Sequence, residues 1–263
     1  MEATTGIVTI TILLMAFVVS VLSTVTVRAR RERIVLRQLP AYTLLPQWTS
    51  EALESDRPLH FSFGGSGLGS ASTPLTLANA ETFTLLARRA TVGTQTPLMT
   101  MSDAGTLPLG YDVLRRAYRA RGRVDLFRLG AVQWYPDGAR SLAFAAALTG
   151  IAADRRVSGH VLLGSYGSEL ALILDAAARR GQHTIAASDQ IEGQAVAFAM
   201  ADEPVIGEEM FAAPAYLGGG AAQMGSVIAL DVLRIGLILA LGVLALYHLI
   251  SSGALAGLLG GGG

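Results

Sequence analysis

Two long uncharged stretches frame the chain, and between them short β-type runs alternate with segments of helical period. The first stretch, residues 6–27, is dominated by Ile, Val, Leu and Thr and provides enough helix to cross a hydrocarbon core of roughly 30 Å. It reads as a transmembrane helix. A cleaved signal peptide fits less well, because no positive segment precedes it, the apolar run is too long, and Arg28, Arg30, Arg31, Arg33 and Arg37 all follow it. The second stretch, residues 235–259, reads "IGLILALGVLALYHLISSGALAGLL" and is entered by Asp231 and Arg234. It too is long enough to span.

Between the anchors, the alternation predicts α/β architecture, a mostly parallel sheet with helices on both faces. Strands are expected near 59–64, 96–102, 130–135, 159–164, 183–187 and 204–207. Helices are expected near 78–92, 110–121, 139–154, 167–180 and 191–201. The order is β-α-β-α-β, a connecting helix, then β-α-β-α-β, the two-halved plan of a Rossmann-like doubly wound sheet. Segment boundaries follow: an outer tail at 1–5, a transmembrane helix at 6–27, a linker at 28–55, the α/β domain at 56–220, a juxtamembrane helix at 221–234, a transmembrane helix at 235–259 and a glycine tail at 260–263. The linker contains "LPAYTLLPQW", with proline at 40 and 46 and no sustained period, so it reads as non-repetitive chain packed on the domain.

Charge adds an orientation. Five arginines beside the first anchor and one beside the second lie on the domain side, whereas Glu2 is the lone charged residue of the outer tails. By the positive-inside rule the domain is cytoplasmic and both termini lie outside, as in a two-pass protein of a bacterial inner membrane. The 20 basic residues, all Arg, balance 20 acidic ones, which argues against nucleic acid as a partner. With no cysteine, disulfides, thiolate metal sites and thiol catalysis are excluded. In the second anchor Gly236 and Ala240, and Gly253 and Gly257, are small-xxx-small pairs that let helices approach. His248, near a helix end, suits an interfacial role better than a proton relay.

The doubly wound plan places a crevice beyond the C-terminal ends of the first and fourth strands. Both strands end in glycine: "GGSGLGS" follows the first and "GSYGSE" the fourth. Gly65, Gly67, Gly69, Gly164, Ser165, Gly167 and Ser168 are therefore candidate ligand-binding positions, where backbone N–H groups and a helix N-terminus suit an anion. Ser70 stands where a dinucleotide fingerprint wants Gly or Ala, and Glu169 would repel a phosphate, so ordinary βα turns remain the competing reading, with Ser165 or Ser168 as cap. Asp103, Asp189, Glu208 and Glu209 fall at predicted strand ends, suited to a cation or a ribose, or else to solvated loops and an N-cap at Asp189. His60, His160 and His183 sit at strand starts without zinc-site spacing. No Ser-His-Asp set, Walker loop or paired-acid motif is present, and no motif identifies a cofactor.

The stretches "GEEMFAAPAYLGGGAAQMGSVIALDVLR" and "HVLLGSYGSE" resemble an uncharacterised family of bacterial membrane proteins, typical of green non-sulfur bacteria and relatives, whose middle region is a domain of unknown function. The resemblance implies membrane anchoring and transfers no catalytic residue. In the first stretch, Asp231 and Arg234 share one helix face, with Arg234 expected at the headgroups. Glu208 and Glu209, on an extended strand end, are expected to point to opposite faces and to meet Arg115 and Arg116 of a neighbouring subunit.

Absence of a catalytic set and presence of two anchors lead to an expected function: a non-enzymatic membrane scaffold that self-associates into a homo-oligomer. One alternative is a nucleotide- or cation-binding sensor or enzyme using the glycine loops. Another is an accessory subunit of a larger membrane complex.

Overall fold

The computed structural model describes residues 2–30, 36–154, 156–218 and 220–251. It divides into two compact units: the helical ends, Met1–Leu36 with Gly219–Gly263, and the α/β domain Arg37–Gly218.

The helical unit contains α1 (Glu2–Arg30) and α9 (Ala221–Ser251). Both are long and apolar enough to cross a membrane, over Ile10–Ala29 and Ala221–Ala245. The expected juxtamembrane helix at 221–234 and the start of the expected membrane helix at 235–259 lie on one continuous helix. Nothing in "AAQMGSVIALDVLRIGL" stops a helix: the segment holds no proline, and its charged residues are helix-competent. Gly253, Gly257 and the tail at 260–263 lie outside the described residues. The two helices touch where Gly225 meets Thr24; a Cβ on Gly225 would lie 2.6 Å from the threonine hydroxyl. Ser23 and Val27 of α1 and Val227 and Ala229 of α9 are buried. Within the α/β unit, the two ends of the domain meet where the Tyr216 hydroxyl donates to the Arg37 carbonyl.

The domain holds one six-stranded sheet, wholly parallel, in the order β3-β2-β1-β4-β5-β6. Its strands are β1 (Leu59–Gly64), β2 (Leu98–Met101), β3 (Val132–Trp134), β4 (Gly159–Ser165), β5 (His183–Ser188) and β6 (Glu203–Pro204). Its principal helices are α2 (Pro40–Glu54), α3 (Thr73–Ala90), α4 (Leu107–Ala120), α5 (Leu142–Ala153), α6 (Leu170–Ala178) and α7 (Ile191–Met200), with a single turn, α8 (Ala213–Tyr216), near the end.

Side-chain alternation along the strands feeds two layers. On one face Phe61 and Phe63 pack on Phe83 of α3. On the other, Leu162 and Ala186 join Phe144, Leu148, Leu170, Ile173 and Ala197 in a core shared by α5, α6 and α7. The strand order reverses between β1 and β4, so the sheet's crevice opens between their C-terminal ends.

The region read as a linker, 28–55, contains α2. Its buried positions, Ala41, Tyr42, Leu45, Trp48, Thr49 and Ala52, follow the helical spacing that the two prolines obscure. Pro40 occupies the first turn, where a missing N–H costs nothing. Pro46 sits inside the helix and removes one hydrogen bond to the Tyr42 carbonyl.

Candidate functional site

The crevice between β1 and β4 brings the two glycine loops into contact. The Gly65 N–H donates to the Ser165 carbonyl at 2.9 Å, and the Ser66 hydroxyl donates to the Ser165 hydroxyl at 3.3 Å. Ser165 in turn donates to Asp189 Oδ2 at 2.9 Å. Ser102, at the end of β2, closes the floor by donating its N–H to the Gly64 carbonyl at 2.9 Å. Trp134 covers this junction, its indole N–H bonded to the Ser102 carbonyl at 2.8 Å.

The glycines serve this closure. A Cβ at Gly164 would lie 1.9 Å from the Phe63 carbonyl oxygen, and one at Gly64, which has φ +59°, would lie 2.6 Å from the Ser165 carbonyl. These are backbone atoms of paired central strands and cannot rotate away. At Gly67 the neighbour is Asp103, whose Oδ2 would sit 2.5 Å from an added Cβ.

An anion site needs free N–H donors, and here the protein supplies their acceptors. The Gly67 N–H donates to the Ser72 hydroxyl at 3.0 Å, and the Gly69 N–H to the Thr73 hydroxyl at 2.9 Å. The Gly167 N–H donates to Glu169 Oε1 at 2.8 Å, and the Tyr166 N–H to the Ser188 hydroxyl at 3.0 Å. Glu169 is 8% exposed, so its carboxylate fills the turn where a phosphate would approach α6. Ser168 is exposed on the same turn, and neither serine caps α6 through its side chain.

The acidic residues separate. Asp103 accepts from the Gly105 N–H at 3.0 Å and the Thr106 hydroxyl at 3.3 Å, capping a short 3-10 turn. Asp189 does not cap α7; that helix begins after Gln190, whose N–H donates to the Ser188 hydroxyl. Glu208 and Glu209 lie in the 3-10 turn Gly207–Phe211, not on an extended strand end, because β6 ends at Pro204. They therefore do not alternate between faces. Glu209 pairs with Arg37 of its own chain, and Arg116 pairs with Asp112 one turn away, while Arg115 is exposed. Asp231 and Arg234 lie on α9, three residues apart and both exposed. Among the described residues no group of three His, Asp or Glu side chains is arranged to hold a metal.

The opposite, N-terminal end of the central strands holds the polar feature that the spacing of residues did not reveal. His60 of β1 and His160 of β4 stand in register and are fully buried, with their Nδ1 atoms 2.9 Å apart. His60 Nε2 lies 2.8 Å from the Thr100 hydroxyl, and His160 Nε2 lies 2.9 Å from Gln182 Oε1. Gln182 Nε2 donates to the Asp154 and Val157 carbonyls, which makes Oε1 the acceptor. Every proton is then assigned: His160 Nε2–H donates to Gln182, His60 Nδ1–H donates to His160, and Thr100 donates to His60. Both rings are neutral. Burial holds His60 well below its usual value, reinforced by the neighbouring ring, and burial lowers His160 to about 4. The sequence signal was present: each histidine is the second residue of the first strand in its half. Beside this chain, a groove of about 750 Å³ opens between β2, β3 and α5, lined by Leu98, Gln133, Tyr135 and Ile151 with Arg57 and Arg156 also contributing.

No curated protein and no solved structure matches the chain. Over residues 3–256, from the first apolar helix through the α/β domain and into the last helix, the chain matches the family described as a domain of unknown function, DUF6754, and it belongs to that family.

Proposed function

We propose that this protein is a non-enzymatic, two-pass membrane protein whose Rossmann-like domain lies in the cytoplasm and self-associates, so that copies form an assembly at the membrane. The observation that carries the reading is the apolar outer surface of the α5–α7 layer. Ile191 and Phe198 on α7 are 85% and 74% exposed, and Leu142, Leu172 and Met200 add to the surface. α5 contains no charged residue and α7 only Glu192. A helix apolar on all sides is ordinarily buried, and contiguous exposed apolar surface marks an interaction site. A second copy suits the faces of α5 and α7, which meet with little charge desolvation, while on α6 the exposed Asp175 is already paired with Arg179. The strand order supports the Rossmann-like description, although a fold by itself assigns no ligand. The two apolar helices support membrane anchoring, and Arg28 and Arg30 on the domain side support the cytoplasmic orientation.

The wild-type full chain, gently solubilised, is expected to run as an oligomer. Ile191→Glu with Phe198→Glu is expected to reduce it to a monomer without lowering the domain's melting temperature by more than a few degrees. A monomeric wild type, or an unchanged particle in the double variant, would overturn the reading. Protease added outside intact cells is expected to leave the middle domain uncut; cleavage there would reverse the orientation.

Because the loop donors are internally paired, adenine and nicotinamide nucleotides are expected to leave the melting temperature unchanged. A nucleotide-dependent rise would put the ligand-binding alternative ahead of the scaffold reading.

A further inference from the structure

Between residues 115 and 129 the sequence carries six arginines and one acid, Asp125, in a chain of zero net charge. Three of the six have structural duties. Arg116 pairs with Asp112, and the guanidinium groups of Arg121 and Arg123 donate to the Arg88, Thr91 and Val92 carbonyls, closing the C-terminal end of α3. The other three, Arg115, Arg119 and Arg128, are exposed.

Packing gathers these three on one corner of the domain. Phe127 lies against Tyr111 and Tyr118 of α4, with ring centroids 6.5 Å and 6.1 Å away. Arg115 stands four residues after Tyr111 and three before Tyr118, so it shares their side of the helix, and Arg119 is one turn further on. Arg128 follows Phe127 in the chain. The segment held by Phe127 also presents Val124, Leu126 and Leu129 to solvent, with Leu129 69% exposed, and the exposed Val92 is tied to it through Arg123. Asp125 is exposed in the same segment and offsets one charge, leaving the corner basic.

We propose that this corner docks on the headgroup layer of an anionic lipid bilayer, with Arg115, Arg119 and Arg128 among the lipid phosphates and Leu126 and Leu129 dipping toward the acyl chains. Charge complementarity and the apolar side chains together select the occupant. Guanidinium groups bind phosphate oxygens in a bidentate manner. The leucines beside them require an apolar layer directly beneath the phosphates, which a bilayer provides and a hydrated polyanion lacks. This inference rests on the membrane reading above: a chain anchored by its own helices holds the domain beside lipid at high effective concentration, so a contact of a few arginines suffices. α4 packs beside α3, away from the α5–α7 layer, so docking and self-association use different surfaces.

The chain contains no cysteine, so a single introduced cysteine carries a fluorophore without background. Full-length Leu129→Cys, labelled with bimane and reconstituted in vesicles, is expected to be quenched by headgroup spin-labelled lipid when the bilayer is equal parts phosphatidylglycerol and phosphatidylcholine. It is expected to stay bright in phosphatidylcholine alone. Ser168→Cys, exposed at the other end of the sheet, is expected to stay bright in both. Adding Arg115→Ala is expected to lower the docked-to-free ratio about fivefold, and adding Arg115→Ala, Arg119→Ala and Arg128→Ala together about a hundredfold. Because all three side chains are exposed, these variants are expected to keep the wild-type melting temperature. A chain that washes out of the vesicles in alkaline carbonate overturns the membrane reading. A chain that stays in them but shows no quenching at residue 129, equal quenching in the two lipids, or quenching that survives the triple change overturns the docking alone and passes the corner to an acidic protein.

Discussion

A Gly164→Val chain is expected not to fold. The position lies where β1 and β4, the two central strands, approach most closely, and a Cβ there would sit 1.9 Å from the Phe63 carbonyl oxygen and 2.4 Å from its carbon. Relief requires separating the strands that join the two halves of the sheet. The cost belongs with the largest single-substitution effects, above about 4 kcal/mol, against a total stability of roughly 5–15 kcal/mol for a domain. Gly150 in α5 is the contrasting case: it is helical, exposed and has nothing within 4 Å of a new Cβ. Gly150→Ala is expected to stabilise by about 1 kcal/mol through helix propensity. Denaturant titrations of both variants in mild detergent provide the check, and a Gly164→Val protein melting like wild type would refute the strand-closure argument. Substitution at Gly164 thus measures folding and cannot serve as a test of ligand binding.

Acid is expected to unfold the domain through the buried histidines. Above pH 6.5 both imidazoles are neutral in folded and unfolded chains, and they contribute no pH dependence. As pH falls below 6.5, the unfolded chain takes up protons that the folded chain excludes, because burial holds His160 at about 4 and His60 well below its usual value. Stability then declines by roughly 1.4 kcal/mol per pH unit for each histidine until the folded state itself protonates. His160 alone accounts for about 3 kcal/mol between pH 6.5 and 4. Urea midpoints measured from pH 8 to 4 are expected to be flat and then to fall steeply. His60→Leu with His160→Leu is expected to flatten the acid limb while lowering stability at pH 8, since Thr100 and Gln182 lose partners. An acid limb of the same slope in the double variant would place the titrating groups elsewhere.

Much of the α/β domain is legible because its elements have simple periods. The runs at 59–64, 159–164 and 183–187 appear within one residue as β1, β4 and β5. The last strand was expected at 204–207 and forms at Glu203–Pro204, where proline and an edge position keep it short. α3 begins at Thr73, five residues before the expected start, because serines and threonines at 70–76 bond to the loop backbone and read as loop. α2 was hidden by its prolines.

The crevice was legible in position but not in occupancy. Spacing shows where Gly67 and Gly167 fall; it does not show that Ser72 and Glu169 already accept their N–H bonds, since that depends on side-chain direction. Similarly, the juxtaposition of His60 with His160 follows only once β1 and β4 are neighbours in register, one hundred residues apart in the chain.

Glu169 gives the β4–α6 turn an anionic occupant supplied by the chain itself. Its carboxylate is tethered two residues from the Gly167 donor at 2.8 Å, so an external anion competes with a ligand that never diffuses away. Short tethers hold a competitor at millimolar or higher effective concentration, and a weakly bound phosphate or sulfate cannot displace it. Selectivity against the abundant anions of a cell is thereby written into the covalent chain. Neutralising that one side chain, rather than reshaping the loop, is what would open the turn.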